Sequence, residues 1–329
     1  MSALVRGRSF PISQEMVVLL TALVCFCFFT VSISGFATVG NMLAMLRSIA
    51  VLGILATGMA IVVISRGLDL SQVSIAAISA AWVLVLMNSG YGLVPALLLG
   101  LGFALVIGVL NGWIIAFVEI PALFATLATG LVCFGFGRWV LIGGVHAYPP
   151  KDAVAFLAIG QSEILGIPSP ILIFAVIAIL VHLFFSRTTI GRHIYGIGDN
   201  VLAARLMGVA VRPLLILAYS MSAGIAFIAG ITLASSVASM NTEIINSTLV
   251  FDVFLVVVLG GVSLSGGRGG VGSVVAGAIL IGILLNGMTI LDINSNLQNI
   301  VKGLVLLAAI IVDRQLHPKD EETGKQGDH

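Results

Sequence analysis

Polar side chains are scarce in this chain, and the densest group of them inside apolar surroundings is Ser65-Arg66-Gly67-Leu68-Asp69-Leu70-Ser71-Gln72, with Ser74 just beyond. A carboxylate, hydroxyls and an amide at this spacing can accept and donate hydrogen bonds to a hydroxylated solute. Asp69 or Ser71 can equally cap the helix that follows, and a helix N-terminus directed at a pathway offers its own free N–H groups. Asn111 and Asn286 each stand before a glycine within an apolar run, and Ser263 and Ser265 lie in a glycine-rich stretch. Unsatisfied polar groups are expensive in lipid, so all of these are expected to face a bundle interior or a cavity. The two asparagines read as hydrogen-bonding glue between helices ahead of solute ligands.

Other chemistries find no residues to carry them. The 329 residues contain no H-E-x-x-H, no G-x-S-x-G and no G-x-x-x-x-G-K-[ST], so neither a zinc hydrolase, a serine hydrolase nor a Walker-type nucleotide site is present. Gly260 to Gly272 holds seven glycines, among them Gly260, Gly261, Gly266 and Gly267, together with Arg268. It reads as a tight helix-breaking connection, with Arg268 at its edge facing lipid phosphate, Asp313 or a partner. Cys25, Cys27 and Cys133 fall inside apolar runs and match no metal or redox spacing. His182 is read as a packed or interfacial residue.

The elements that must position these groups are membrane helices. With 59% hydrophobic and 9% charged residues and a mean hydropathy of +1.19, the chain lacks the polar surface of a soluble domain. Its net charge of +1 gives no reason to expect nucleic acid. At about 20 apolar residues per span, ten helices are expected near 15–37, 48–65, 71–88, 92–117, 121–142, 169–185, 214–236, 250–264, 271–289 and 295–312. The first is read as a retained anchor, too long for a signal h-region and without a small-residue cleavage site. With the N-terminus inside, eleven basic residues fall on the cytoplasmic side (Arg6, Arg8, Arg66, Arg187, Arg192, Arg205, Arg212, Arg268, Arg314, Lys319, Lys325) and three outside (Arg47, Arg138, Lys151). The positive-inside bias therefore places both termini in the cytoplasm. The expected organisation is a cytoplasmic segment 1–14, one transmembrane domain 15–313 and a short polar tail 314–329. Spans two to five and seven to ten can form inverted halves, in which Asn111 and Asn286 would be equivalent. Gly100, Gly102, Gly108, Gly224 and Gly230 are spaced for close helix contact.

One inner loop, 186–213, holds four of the fifteen Lys and Arg residues. Within it Asp199 or Asn200 can cap a helix of about two turns over Val201 to Met207. Arg205 then stands in the last turn, and Gly208 ends the helix. On the far side, Gly143 to Pro168 and Val237 to Leu249 are read as connecting segments, or as a surface for a substrate-delivering protein.

Four ordered stretches resemble motifs of the bacterial ABC sugar-importer permeases of the ribose, xylose and arabinose type. They are T-x-x-G-R-x-I-Y-x-I-G-x-N-x-x-A-A-R-L-x-G-V from Thr188 to Val209, and V-V-L-G-G-V-S-L-S-G-G-R-G-G-V-G from Val257 to Gly272. The others are G-L-D-L-S from Gly67 to Ser71, and the run from Asn111 that resembles N-G-x-x-[VI]-x-x-x-x-[VI]-P-x-[FL]-[IA]-x-T-L. The resemblance implies an all-α permease subunit in the inner membrane, paired with a second copy or a paralogue. A cytoplasmic ABC ATPase would bind ATP and Mg, a periplasmic binding protein would deliver a monosaccharide, and this chain would hold no cofactor and hydrolyse nothing. It implies coupling roles for Arg192, Gly198, Asn200, Ala203, Ala204, Arg205 and Gly208. Asp69, Ser71, Gln72, Ser74, Asn111, Ser263, Ser265 and Asn286 are the candidates along the pathway. The family usually continues G-[IL]-D-L-S with V-G-S, whereas this chain has Gln72-Val73-Ser74, which makes Gln72 a candidate for specificity. Permeases with these motifs serve pentoses, hexoses, polyols and autoinducer-2. The competing class, an ion-coupled secondary transporter, needs ionisable groups deep in the bundle, and only Lys302 and Asp252 offer themselves.

Overall fold

The computed structural model describes residues 14–316, with side chains from 15 to 311. The basic residues expected at positions 6, 8, 314, 319 and 325, the two polar termini and Asp313 as a partner of Arg268 lie outside the described side chains. Thirteen α-helices and four two-residue strands are present among the described residues.

The apolar runs become α1 (Gln14–Ser32), α2 (Val39–Ile64), α3 (Gln72–Asn88), α4 (Leu93–Trp113) and α5 (Ala122–Phe136). The last two continue into π-helical turns, Ile114–Val118 and Gly137–Ile142. Strand β1 (His146–Ala147), α6 (Val154–Gln161), and strands β2 (Glu163–Ile164) and β3 (Ile167–Pro168) follow. Then come α7 (Ser169–Arg187), α8 (Thr189–Asp199), α9 (Val201–Leu206), α10 (Val211–Val237) and β4 (Met240–Asn241). A 3-10 turn, Thr242–Asn246, precedes α11 (Leu249–Gly260), α12 (Val271–Ile290) and α13 (Ser295–Leu316). Among the described residues seven helices are long and apolar enough to cross a membrane, and Gln72–Asn88, Leu249–Gly260 and Ser295–Ile311 are shorter apolar helices.

Three expectations are corrected. Span two begins at Val39, nine residues before position 48, because its polar residues find partners: Asn41 bonds Asn286, and Arg47 pairs with Glu163 at 3.0 Å. Span eight stops at Gly260, four residues short of 264, because Gly261 takes φ +106°, a left-handed turn that only glycine adopts without strain. The far-side connection 143–168 is not plain linker. It holds α6, a ribbon of β1 with β4 (His146 opposite Asn241) and a β2–β3 hairpin, and two ion pairs, Arg47–Glu163 and Arg138–Glu243, pin this layer to the bundle.

Residues 52–65 and 71–81 are buried without interruption, so α2 and α3 form the centre of the bundle and carry no polar face. Helix α10 lies against α2, α3 and α4. Small residues allow these approaches: a Cβ at Gly108 would stand 2.8 Å from the Tyr219 carbonyl, and one at Gly230 would stand 2.1 Å from the Ala76 carbonyl. Gly100 is likewise closed against Val83, whereas Gly102 faces open space and Gly224 has only an ordinary contact with Leu105. Dispersion and backbone proximity therefore join these helices, as expected where lipid removes the hydrophobic drive for association. Helices α1, α4 and α5 turn large apolar side chains outward, among them Val31, Leu98 and Phe124.

The bundle has two distinct ends. A basal end gathers Arg66, α8, α9, Arg212 with Glu119, and the glycine-rich turn, and a distal end gathers β1–β4, α6 and Lys151.

Candidate functional site

The break between α2 and α3 is built by the local sequence. Ser65 ends α2, Arg66 takes φ +69°, and the N–H groups of Arg66 and Gly67 return to the carbonyls of Val63 and Val62. This is a Schellman turn, which satisfies the last free carbonyls of the helix. Gly67 is required by contact as well, since a Cβ there would stand 2.2 Å from the Tyr219 hydroxyl. The chain then folds back into the bundle, and α3 starts beside the middle of α2, where the Gln72 amide donates to the Leu55 carbonyl at 2.9 Å.

Asp69 lies fully buried at the centre of this break. Its Oδ1 accepts from the Ser71 N–H at 3.2 Å and the Ser71 hydroxyl at 2.5 Å, and its Oδ2 accepts from Ser222 of α10 at 2.8 Å. Ser71 Oγ in turn accepts from Asn111 Nδ2 at 2.8 Å, whose Oδ1 accepts from Thr129 at 2.5 Å. Ser222 Oγ accepts from Gln72 Nε2 at 3.3 Å. Donors from the break itself and from α3, α4, α5 and α10 thus point inward, one behind another, to a single carboxyl group. Of the two proposed caps, Asp69 takes the Ser71 N–H, while the Ser71 hydroxyl makes no cap bond to α3. Gln72 is held by Leu55, which fixes its amide orientation, and its Oε1 has no partner. The side chain lies over Gly58, where a Cβ would come within 2.6 Å of Nε2.

A second constellation closes the basal end. Thr188 caps α8 by accepting from Gly191 N–H at 2.9 Å, and Gly191, Ile194, Ile197 and Gly198 bury one face of that helix. Asn200, not Asp199, caps α9 by accepting from Ala203 N–H at 2.9 Å. Gly208, at φ +81°, ends α9 through bonds from Gly208 and Val209 to the carbonyls of Arg205 and Ala204. Ala204 is buried, while Ala203 and Arg205 are exposed beside Leu202, Leu206 and Met207. Leu202, Leu206 and Met207 thus leave apolar surface on the exposed side of this short helix.

The glycine-rich turn docks on α8 and on the end of α2. Gly267 N–H donates to the Ile64 carbonyl at 2.9 Å, Arg66 Nε to the Ser265 carbonyl at 2.6 Å, and the Tyr195 hydroxyl to the Gly269 carbonyl at 2.6 Å. Burial pushes the Tyr195 phenol above its ordinary value, so it stays a donor. A Cβ at Gly198 would stand 1.8 Å from the Ile64 carbonyl, and only glycine fits there. Segments far apart in sequence are clamped together directly behind α9.

The structure therefore brings together Asp69, Ser71, Gln72 and Asn111, with Ser74 buried one turn along α3. Ser263 and Ser265 do not join them; they share a hydrogen bond of 2.8 Å within the basal clamp. Asn286 lies toward the distal end and exchanges two 2.9 Å bonds with Asn41. Gly260 packs against the Ser273 carbonyl, Gly266 and Gly267 against Gly198 and Asp199, and Arg268 and Arg192 are exposed. Sequence reasoning missed Ser222, Thr129 and the helix α8. The spacing of Gly191, Ile194, Ile197 and Gly198 signals that helix, but nothing local marks Ser222 or Thr129.

An all-helical, multi-pass membrane protein, with a buried polar break joined to a clamp at one end, is the class that fold and site define. The chain belongs to the family described as branched-chain amino acid transport system / permease component, whose model matches residues 41–310. It is 34% identical over 275 residues to the ribose import permease protein of Bacillus subtilis, covering 84% of this chain and 85% of that one. It is 36% identical over 284 residues to the L-arabinose transport system permease protein of Escherichia coli K12, covering 86% and 85%. The ribose import permease protein of Escherichia coli K12 is 31% identical over 282 residues, covering 85% and 88%. No solved structure matches the chain. The four motifs thus pointed to the right family.

Proposed function

We propose that this chain is the membrane-spanning subunit of an ATP-binding cassette importer for a monosaccharide, with pentoses the first to test. The observation that carries it is the exposed apolar knob of α9 (Leu202, Leu206, Met207) seated on the basal clamp. A cytoplasmic ATPase, which binds ATP and Mg, docks on that knob, and this chain supplies no catalytic residue and needs no cofactor. The relatives named for ribose and L-arabinose support the solute class. The positive-inside rule places the basal end and both termini in the cytoplasm, with the distal layer facing the periplasm and its sugar-binding protein. A second copy or a paralogue completes the pathway.

Mechanism follows from which contacts are shared. Force on α9 passes to α8 through Asn200, and from Gly198 and Tyr195 to the glycine-rich turn and the end of α2. From there it reaches the break that holds Asp69. A partner that binds one arrangement of the clamp more tightly than another shifts the bundle between them, and its differential affinity limits how far. Asp69, through Ser222, ties α10 to the break, so movement of the clamp and movement of α10 are one event. Asp69, Ser71, Gln72, Ser74 and Asn111 act in this scheme as the polar hinge beside the pathway.

The test is ATP-dependent uptake of radiolabelled ribose and arabinose into proteoliposomes holding this chain, its ATPase and its binding protein. Arg205→Glu and Leu206→Glu, both on the exposed face of α9, should abolish uptake while the thermal midpoint of the permease is unchanged. Uptake by this chain alone, driven by an ion gradient and indifferent to both variants, would replace the importer with a secondary transporter.

A further inference from the structure

The hairpin of β2 and β3 turns on two residues, Leu165 at φ +55° and Gly166 at φ +77°. Two positive φ angles in a two-residue loop are what a type I′ turn requires, and its first position favours asparagine, aspartate or glycine. Leucine in this left-handed region brings its Cβ against the following carbonyl oxygen. Nothing within the chain offsets that strain. Leu165 is 97% exposed, more than any other large apolar side chain among the described residues, and Ile164 and Ile167 beside it are exposed as well. Arg66 and Glu119, which also take positive φ, hold side-chain partners in Ser265 and Arg212.

The stem of the hairpin is firmly held. Ser169 N–H donates to the Ser162 carbonyl at 2.9 Å, and Glu163 pairs with Arg47 of α2 at 3.0 Å. The tip therefore presents three apolar side chains outward while the one charge of the hairpin is taken up at its base. Its height follows from α7, which it enters directly. The 19 residues of α7 rise about 28 Å, no more than the hydrocarbon core of about 30 Å. Val176, Ile179, Leu180 and Leu183 form an exposed apolar stripe along that helix. With no length to spare in α7, the hairpin stands at the distal boundary between membrane and water. Tyr91, Trp139 and Tyr148 are exposed at the same end of the bundle, where an aromatic belt belongs.

We propose that the β2–β3 hairpin is a lipid anchor, in which Ile164, Leu165 and Ile167 enter the acyl-chain boundary of the distal leaflet. Lipid is the occupant because the tip adjoins the exposed stripe of α7 and offers no polar rim, which a soluble partner would need. Burial of the three side chains in lipid offsets the strained turn. Through Glu163 and Arg47 the anchor fixes the height of the distal layer over α2. It rests on the membrane fold alone and stands whether or not the chain is an importer.

The test is Leu165→Trp in phosphatidylcholine vesicles whose acyl chains are brominated near the headgroup, with the wild-type emission of Trp82, Trp113 and Trp139 subtracted. Lys151→Trp, in an exposed turn of the same distal layer, is the control, since it carries the same attraction of indole to the interface. On bromination the added emission at 165 should fall by about half or more, and that at 151 by less than about a tenth. Equal quenching at the two positions overturns the anchor. So does unquenched emission at 165: red-shifted, it leaves the tip in water; blue-shifted, it covers the tip with protein, whether a second copy or a delivering protein. Where Leu165→Trp does not fold, Ile164→Trp is read by the same criteria.

Discussion

Gly198→Ala places one methyl group where three segments of the chain meet. The new Cβ would lie 1.8 Å from the Ile64 carbonyl oxygen and 2.4 Å from the Gly267 nitrogen, both backbone atoms, where real contacts stay beyond 3.0 Å. No side-chain rotation relieves this, so the strands of the clamp must separate by about an ångström and the Gly267 to Ile64 hydrogen bond of 2.9 Å is lost. Overpacking costs about 1–3 kcal/mol, and a stranded backbone donor costs about 1–3 kcal/mol more. A total on the order of 3 kcal/mol lowers the thermal midpoint by roughly 5 °C in a protein of this size. Gly196→Ala is the matched control: it lies on the same helix with nothing within 4 Å of the new Cβ, and replacing glycine inside a helix stabilises by about 0.5–1 kcal/mol. Both variants are to be compared by thermal unfolding in detergent and by ATP-driven uptake in proteoliposomes. Gly198→Ala should lose coupling, hydrolysing ATP with little uptake, while Gly196→Ala behaves as wild type. If the two variants are indistinguishable, the clamp does not transmit force.

Asp69→Ala strips the acceptor from the Ser71 N–H and from two hydroxyls at once. It should destabilise by on the order of 4 kcal/mol, and Asp69→Asn by less, because one oxygen still accepts; equal melting temperatures for Asp69→Ala and wild type would refute the convergent network. Glu163→Gln breaks only a half-exposed pair with Arg47. It should change stability by less than about 1 kcal/mol, which thermal unfolding in parallel with the Asp69 variants would check.

What the sequence made legible was local. The capped helix at 200–208 and the glycine-rich break are written in adjacent residues, because a cap, a left-handed glycine and a terminating turn need only their neighbours. The helical class followed from hydropathy, since a bilayer forces backbone groups to bond within each span. The partners of the polar residues were another matter. Asn111 and Asn286 look alike in sequence, yet one joins the Asp69 network and the other pairs with Asn41, 245 positions away. Ser263 and Ser265 look like Ser71 by composition, but they bond each other, and the turn that carries them docks on α8 and on the end of α2. Gly102 and Gly224 have the spacing of packing glycines without the neighbours, because which helix face meets which is decided by the whole bundle. The apolar pattern likewise set the start of α2 too late, since it counts Asn41 and Arg47 as interruptions when each has a tertiary partner.

The clamp also orders events during synthesis. Its members, Ile64, Gly198 and Gly267, leave the ribosome at widely separated times, and the last of them comes only after four-fifths of the chain has been made. Until that turn emerges, α8 lacks the contacts of Gly198 and Tyr195 with Gly267 and Gly269, so a chain that ends before it lacks the seat on which α8 and α9 rest. On the importer reading proposed above, the contact that would carry force in the mature protein would also delay docking of the ATPase until the membrane part is nearly whole.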